Sequence, residues 1–113
     1  MTTDTLTDKL GELYGTIEAR KNSASIGQSY SANLLAKGTA KIAEKLNEEA
    51  GEAIIAAVLN DRDNLIHESA DLLYHLLLLW VDAGILPADV MRELERREAM
   101  SGLDEKKNRP PSS

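Results

Sequence analysis

Residues 64–84 read NLIHESADLLYHLLLLWVDAG, and they constrain the architecture more strongly than any other segment. Projected at about 100° per residue, the apolar side chains between Leu65 and Trp80 cover most of a helix circumference. A helix that is apolar nearly all round has to be buried nearly all round. Because a subunit of 113 residues offers too few neighbouring helices for that, this segment predicts a helical bundle that a second copy of the chain completes.

Helical periodicity also extends over the first half of the chain. Apolar residues at helical spacing predict an amphipathic helix over about residues 5–20, followed by a polar loop over 21–29. A short helix is predicted over 30–37, with Gly38 at its end. Thr39 is then expected to cap a longer third helix.

The second half continues the pattern. Residues 61–64, DRDN, have the composition of a turn with capping residues, so the fourth helix is expected to follow this turn and run to Gly84. Pro87 suits the first position of a fifth helix. The sequence contains no strand-like alternation, internal repeat or interdomain linker. We therefore expect one all-α domain over residues 1–102, a bundle of about four or five helices, and a mobile tail over 103–113.

The charge balance excludes several classes of partner. Acidic residues outnumber basic ones by 19 to 13, which gives a formal net charge of −6. Such a chain gains nothing from counterion release on a nucleic acid or from attraction to an anionic membrane, so neither partner is expected. A negatively charged protein that handles phosphates needs a bound cation to do so.

The cellular compartment follows from three simple features. Cysteine is absent, which excludes disulfides and zinc sites built on thiolates. The first ten residues, MTTDTLTDKL, lack the basic and then apolar regions of a signal peptide. The longest apolar run falls well short of the roughly 20 residues that a membrane helix needs. We expect a cytoplasmic protein.

Two groups of acidic residues lie on the third and fourth predicted helices. Glu48, Glu49 and Glu52 fall within about 100° of one another on a helical projection. Glu68 and Asp71 are three residues apart and therefore share a face as well. An antiparallel pair of helices would bring the two faces together, because Glu52 and Glu68 lie at nearly equal distances from the turn between them.

Carboxylates crowded into one patch repel one another. Each like-charge pair at about 4 Å costs on the order of 4 kcal/mol at an effective dielectric of about 20, whereas a whole domain is stable by only about 5–15 kcal/mol. The pattern EExxE alone is usually a solvated face, but Glu68 and Asp71 interrupt the most apolar helix, which favours a functional site. All-oxygen ligands select Mg²⁺ or Mn²⁺. Lys41 and Lys45 share the sector of the third-helix acids, as is typical of a polyphosphate site.

Glu48-Glu49-x-x-Glu52 followed by Glu68-x-x-Asp71 resembles the signature of the all-α nucleotide pyrophosphohydrolases, the MazG-like superfamily. Within it, further segments are similar to the phosphoribosyl-ATP pyrophosphohydrolase family: SYSA at 29–32 with Leu34, Leu35 and Gly38, KLNEEA at 45–50, ESADLLYH at 68–75, and DV and LERR within 89–97. The resemblance covers roughly residues 6–97. It departs from the family at Asn47, where glycine is expected.

The resemblance implies Mg²⁺-dependent hydrolysis of phosphoribosyl-ATP to phosphoribosyl-AMP and pyrophosphate, the second step of histidine biosynthesis. The homodimer is predicted separately, from the apolar fourth helix. The resemblance also implies a metal-binding and catalytic cluster of Glu48, Glu49, Glu52, Glu68 and Asp71. Glu48 or Glu49 is expected to act as the general base. Substrate contacts are expected from lysines and arginines: Lys41 and Lys45 for phosphate oxygens, and Arg97 and Arg20 for the ribosyl phosphate. Tyr30 is expected either to contact the substrate or to pack at the helix cap.

Two alternative functions stay open at this point. The first is an enzyme of the same superfamily that removes noncanonical or deoxynucleoside triphosphates such as dUTP or dCTP; the SYSA segment and the short length weigh against it. The second is a helical dimerisation module without enzymatic activity, in which the acids only keep the bundle in solution.

Other residues on the fourth helix receive structural interpretations. His75 is expected behind the metal ligands or in packing, since Mg²⁺ prefers oxygen. His67 is expected at the surface, and Trp80 in the core. Tyr74, Leu77 and Trp80 are expected to recur on both sides of a two-fold axis between subunits.

Overall fold

The structure, a computed structural model, describes residues 3–22 and 29–100. These two ranges contain five α-helices and no strand, which confirms the predicted all-α bundle: α1 Thr3–Asn22, α2 Tyr30–Lys37, α3 Thr39–Val58, α4 Arg62–Ala83 and α5 Pro87–Glu98. The predicted loop over 21–29 begins later than expected, because Lys21 and Asn22 complete the last turn of α1. The rest of that loop, 23–28, and the predicted tail over 103–113 lie outside the described residues.

Gly38 forms the whole connection between α2 and α3. Its φ of 98° lies in the region that favours glycine, since a Cβ there would clash with the backbone. Its N–H donates to the carbonyl of Leu35 at 3.2 Å, and its own carbonyl accepts from the N–H of Ile42 at 3.2 Å. The prediction that Thr39 caps α3 was wrong: Gly38 occupies the cap position, and the Thr39 hydroxyl instead donates to Asp82 Oδ2 on α4 at 2.5 Å.

The α3–α4 hairpin brings together the two helices that carry the acidic residues. Asn60, between them, adopts a φ of 57°, a conformation that asparagine tolerates better than most residues. Asp61 then caps α4, where its side chain accepts from the backbone N–H of Asn64 at 3.2 Å. At the far end Gly84, with a φ of 73°, ends α4. The predicted capping role of this segment and the predicted end of α4 are confirmed, but α4 already begins at Arg62, inside the predicted turn.

The remaining helices pack around this hairpin. α1 contacts α4, α2 and α5, and α2 contacts both α3 and α4. The core that they enclose is aliphatic apart from one tyrosine and consists of Tyr14, Ile17, Leu34, Ile42, Leu77, Leu78 and Val81. Partly buried Tyr74 and Trp80 pack against it. The second half of α4 is therefore the centre of the subunit.

This packing corrects one expectation. Leu77, predicted at a subunit interface, is only 1% exposed within its own subunit, because the neighbouring helices cover that side of α4. On α3, Ala53 and Ala56 take the buried positions, while Ile54 and Ala57 are exposed. The helical projection identified α4 as a helix that has to be buried, but not the neighbours that cover it.

The length and the apolar character of each helix determine whether it could span a membrane. Within residues 3–22 and 29–100, no single helix is both long enough and apolar enough to cross a membrane. α4 and α5 meet that test only as a pair, by length and composition alone, and they are bent by 111° at their junction.

We predict that Leu77→Ala lowers the free energy of unfolding by about 2–5 kcal/mol, because it leaves a cavity in the centre of the core. Leu94→Ala on α5 is the matched control: Leu94 is 51% exposed, so its truncation is expected to change stability by no more than about 0.5 kcal/mol. Urea denaturation followed by circular dichroism measures both values. Equal losses in the two variants would contradict the described core.

Candidate metal and catalytic site

Three carboxylates from the two hairpin helices converge. Glu49 and Glu52 lie one turn apart on α3, and Glu68 faces them from α4. One carboxylate oxygen of each lies within 4.8 Å of the others. Glu52 and Glu68 lie opposite each other along the α3–α4 hairpin, as their nearly equal separation from the turn at Asp61 predicts. We call these three residues the carboxylate cluster.

Glu68 is buried to an unusual degree for an acid, with 6% of its surface exposed. When the carboxylates are ionised and cannot donate to one another, its Oε2 atom and that of Glu49 are shielded from solvent and have no hydrogen-bond partner. A buried polar atom without a partner costs free energy, and native proteins rarely leave one in that state. The two oxygens fit a cation with oxygen ligands, so the donor set suits a hard divalent cation such as Mg²⁺.

The cluster also alters the acidity of Glu68. A hydrogen bond shared with Glu52 is the main reason why the pKa of Glu68 rises from 4.5 to about 8; burial and the neighbouring Glu49 raise it further. At neutral pH and without a cation, the cluster therefore retains a proton. A metal ion can replace that proton, since metal ligands have to be deprotonated.

Asp71 adjoins the cluster at Glu68, one turn further along α4. His67 Nε2 lies 3.3 Å from Asp71 Oδ2 and 3.9 Å from Glu68 Oε1. Ligand atoms of these three residues also lie within 4.8 Å of one another. His67 is at the surface, as predicted, but its position beside two acids was missed. The sequence does contain a signal for this position: His67 and Asp71 are four residues apart, which places both side chains on one face of the helix.

Glu48 is placed differently from its neighbour Glu49. Its carboxylate is half exposed and forms an ion pair with Lys45 Nζ at 3.4 Å. The hydrogen bond to Glu48 is also the main reason why the pKa of Lys45 is raised. Lys41 forms a comparable exposed pair with Glu44 at 3.3 Å. The structure thus places Glu48 and both lysines on the surface of α3 and leaves Glu48 outside the three-carboxylate cluster.

Tyr30, the first residue of α2, lies at the edge of the site. Its hydroxyl is 2.8 Å from His75 Nε2, and half of its surface is exposed. Burial raises the pKa of Tyr30, and the positive charge of Lys45 acts in the opposite direction. The negative charges of Glu49 and Asp71 raise the pKa of Tyr30 further, so the phenol is close enough to these acids to interact with them electrostatically.

The two predicted arginines lie at helix ends. Arg20 is exposed in the last turn of α1. Arg97 lies in the last turn of α5, a helix that packs against α1, and its Nε is 3.7 Å from Glu93 Oε2. Their proposed contact with a ribosyl phosphate stays a prediction.

Comparisons with known proteins identify a family that this chain resembles over most of its length. A model of the family described as phosphoribosyl-ATP pyrophosphohydrolase matches residues 10–98, a range that contains every acid of the site. The chain is 52% identical over 100 residues to a phosphoribosyl-ATP pyrophosphatase of Paramagnetospirillum magneticum, with 88% of this chain and 91% of the relative covered. Proteins of the same name from Gluconobacter oxydans (89% of this chain, 75% of the relative) and Azospirillum brasilense (88% and 89%) are also 52% identical.

We predict that, without divalent cations, the protein loses stability as the pH rises towards about 8. The pKa of Glu68 is about 8 in the folded protein and near 4.5 in the unfolded chain, so the folded state binds the extra proton between these values. This contribution is fully present below about pH 4.5 and is lost as the pH rises through about 8. Urea unfolding in EDTA at a series of pH values measures the decline.

Glu68→Gln is expected to flatten this profile, because glutamine carries no titrating proton. Glu44→Gln, an exposed acid on α3 outside the cluster, is expected to keep the wild-type profile. If the stability of the wild type changes with pH in the same way as that of Glu68→Gln, the cluster does not hold the proton.

Proposed function

The chain belongs to the phosphoribosyl-ATP pyrophosphohydrolase family, and we propose that it hydrolyses phosphoribosyl-ATP at the carboxylate cluster with Mg²⁺ bound there. The products are phosphoribosyl-AMP and pyrophosphate, and the reaction is a step of histidine biosynthesis. The observation that supports this location is the pair of buried, unpartnered oxygens on Glu49 and Glu68. We further propose that the reaction takes place in the cytoplasm, where ATP is available as a precursor.

The ligands are proposed from the positions of the acids. Glu49, Glu52 and Glu68 would hold the cation, and Asp71 would join them beside Glu68. When bound, Mg²⁺ neutralises phosphate oxygens and increases the acidity of a coordinated water. Mn²⁺ would substitute for Mg²⁺, because His67 adds an imidazole nitrogen at the Asp71 side of the site and Mn²⁺ accepts nitrogen ligands more readily than Mg²⁺ does.

The hydrolysis itself needs a base and a cationic group. A water molecule adds to phosphorus, the anhydride bond between the α and β phosphates breaks, and pyrophosphate leaves. Of the two predicted bases, Glu48 is better supported: it lies outside the cluster, so its carboxylate is available to accept the proton of the attacking water. Lys45 holds Glu48 in place and would bind a phosphate oxygen, and Lys41 would do so from the preceding turn.

We predict that Glu52→Gln and Asp71→Asn lower kcat for phosphoribosyl-ATP by about 10²-fold or more, the size expected when several kcal/mol of charge stabilisation by a metal is lost. Both variants are expected to stay folded, since each removes a repelling charge. Pyrophosphate release with and without Mg²⁺ measures the rates, with Glu44→Gln as the matched control on α3. dUTP and dCTP serve as competing substrates.

If either variant hydrolyses phosphoribosyl-ATP at the wild-type rate, the substituted residue is not part of the site. Faster hydrolysis of dUTP or dCTP than of phosphoribosyl-ATP would contradict the substrate assignment. Thermal melts give a readout that does not depend on turnover, because a cation that binds only the folded chain raises its melting temperature. An unchanged midpoint in millimolar Mg²⁺, with pyrophosphate also present, would contradict the metal site.

We also propose that the chain is a homodimer formed through the end of the α3–α4 hairpin. Five large apolar side chains there are more than half exposed: Ile54, Ile55, Val58, Leu59 and Ile66. Soluble monomers rarely leave large contiguous apolar patches uncovered. A two-fold axis would bring the same surface of a second copy against it. The buried position of Leu77 moves the proposed interface away from the second half of α4 and towards this end.

We predict that Val58→Asp converts the dimer to a folded monomer, because a charge at an exposed position opposes association without disturbing the core. Leu94→Asp is the control, since it adds the same charge at a comparably exposed leucine on α5. Sedimentation equilibrium at micromolar concentration distinguishes a 12.4 kDa monomer from a dimer. A wild-type protein that sediments as a monomer would contradict the proposal; a dimeric Val58→Asp would place the interface elsewhere.

A further inference from the structure

His75 is a buried histidine whose two ring nitrogens both have partners. Only 6% of its surface is exposed. Its Nδ1 lies 2.8 Å from the backbone carbonyl of Asp71, and its Nε2 lies 2.8 Å from the hydroxyl of Tyr30. A carbonyl oxygen can only accept, so Nδ1 carries the hydrogen and donates it. In a neutral imidazole Nε2 then has a lone pair and accepts the hydrogen of the Tyr30 hydroxyl.

A second contact also joins α2, the helix of Tyr30, to α4, the helix of His75. Ser31, next to Tyr30 on α2, forms a hydrogen bond with the hydroxyl of Tyr74, next to His75 on α4. The Tyr30 ring also meets the His75 ring edge-on, with centroids 5.8 Å apart and planes at 87°. Two adjacent residues of α2 are thus attached to two adjacent residues of α4, one turn beyond Asp71. The beginning of α2 cannot shift without breaking both contacts.

These contacts determine what Tyr30 can offer to a ligand. Its single phenolic hydrogen is donated to His75, so it is not available for a phosphate oxygen. Tyr30 as a whole is 52% exposed, and it lies at the edge of the carboxylate cluster with the Tyr74 ring on one side, at a centroid distance of 6.2 Å. An exposed aromatic face offers stacking, which every purine can accept because each has a π-face.

We propose that the Tyr30 ring is the wall against which the purine of the substrate stacks, and that His75 is a positioning residue that holds this ring in place through the phenolic hydroxyl. The inference rests on the proposed function, since it takes the substrate to be a nucleotide whose phosphates lie at the carboxylate cluster. It differs from a structural role for His75, which would affect folding and leave ligand affinity unchanged.

The test compares Tyr30→Ala, Tyr30→Phe, His75→Leu and the double variant Tyr30→Phe/His75→Leu. KM and kcat for phosphoribosyl-ATP are measured together with the Kd of α,β-methylene-ATP in Mg²⁺ by calorimetry. Tyr30→Ala is expected to raise KM and Kd about tenfold, as for the loss of one base–aromatic stack, with kcat within about twofold. Tyr30→Phe and His75→Leu each remove one partner of the same hydrogen bond, so each is expected to raise KM by about threefold.

The double variant distinguishes positioning from independent effects. If His75 acts through the Tyr30 hydroxyl, the double variant has the KM of either single variant; independent effects would multiply. His75→Gln, which keeps a side-chain acceptor for the phenol, is expected to restore KM to within about twofold of the wild type. This variant also keeps the test valid if His75→Leu fails to fold.

Several results would overturn the inference. KM and Kd within twofold of the wild type in Tyr30→Ala would remove the stacking role, and a loss confined to kcat would place Tyr30 in the chemistry. Effects that multiply in the double variant, or a lowered melting temperature with unchanged KM in His75→Leu, would make His75 structural. If the wild type releases no pyrophosphate from phosphoribosyl-ATP but binds α,β-methylene-ATP in a Tyr30-dependent way, the proposed function is wrong and the inference stands.

Discussion

Repulsion among Glu49, Glu52 and Glu68 is the constraint to which the rest of the structure responds. Their oxygens lie within 4.8 Å of one another, and Glu68 is almost completely buried. Such a group is stable only with a proton or a cation in its midst. The free energy that holds the acids together comes from burial of apolar side chains elsewhere in the subunit. Most of it comes from the aliphatic core, which includes Ile17 of α1 and Leu77 in the second half of α4.

α4 connects these two regions because its halves differ in character. The half before Asp71 carries His67 and Glu68 into the acidic site, while Leu77 and Leu78 in the second half are buried in the core. His75 lies between the halves and links the core helix to Tyr30 at the edge of the site. A rigid helix anchored at one end fixes the ligands at the other, which loops would do less well.

The sequence allowed more of the backbone to be predicted than of the side-chain contacts. Two helix boundaries with strong local signals were predicted. Glycine at position 38 can adopt the positive φ found after α2, and proline at position 87 fixes a φ that suits the start of α5. The convergence of Glu52 and Glu68 followed from counting residues on either side of a short turn. Each of these inferences used only local geometry.

The contacts that were missed depend on the neighbours of a helix. A helical projection placed Glu48 in the same sector as Glu49, yet an ion pair with Lys45 holds Glu48 at the surface. Leu77 lies inside the subunit and Ile54 outside it, because the packing of α1 and α2 determines which side of the hairpin is covered. The bond between Tyr30 and His75 joins residues 45 positions apart, and no local pattern predicts it.

The raised pKa of Glu68 gives the acidic site a way to exist both with and without a cation. Below about pH 8 the cluster can keep a proton on Glu68, which relieves part of the repulsion and lets the hairpin form before any metal binds. A divalent cation at the proposed site would displace that proton, so the affinity for metal is expected to increase with pH until Glu68 is fully ionised. The buried oxygen that would destabilise an empty, fully charged site is therefore also the one that would favour binding of a hard cation.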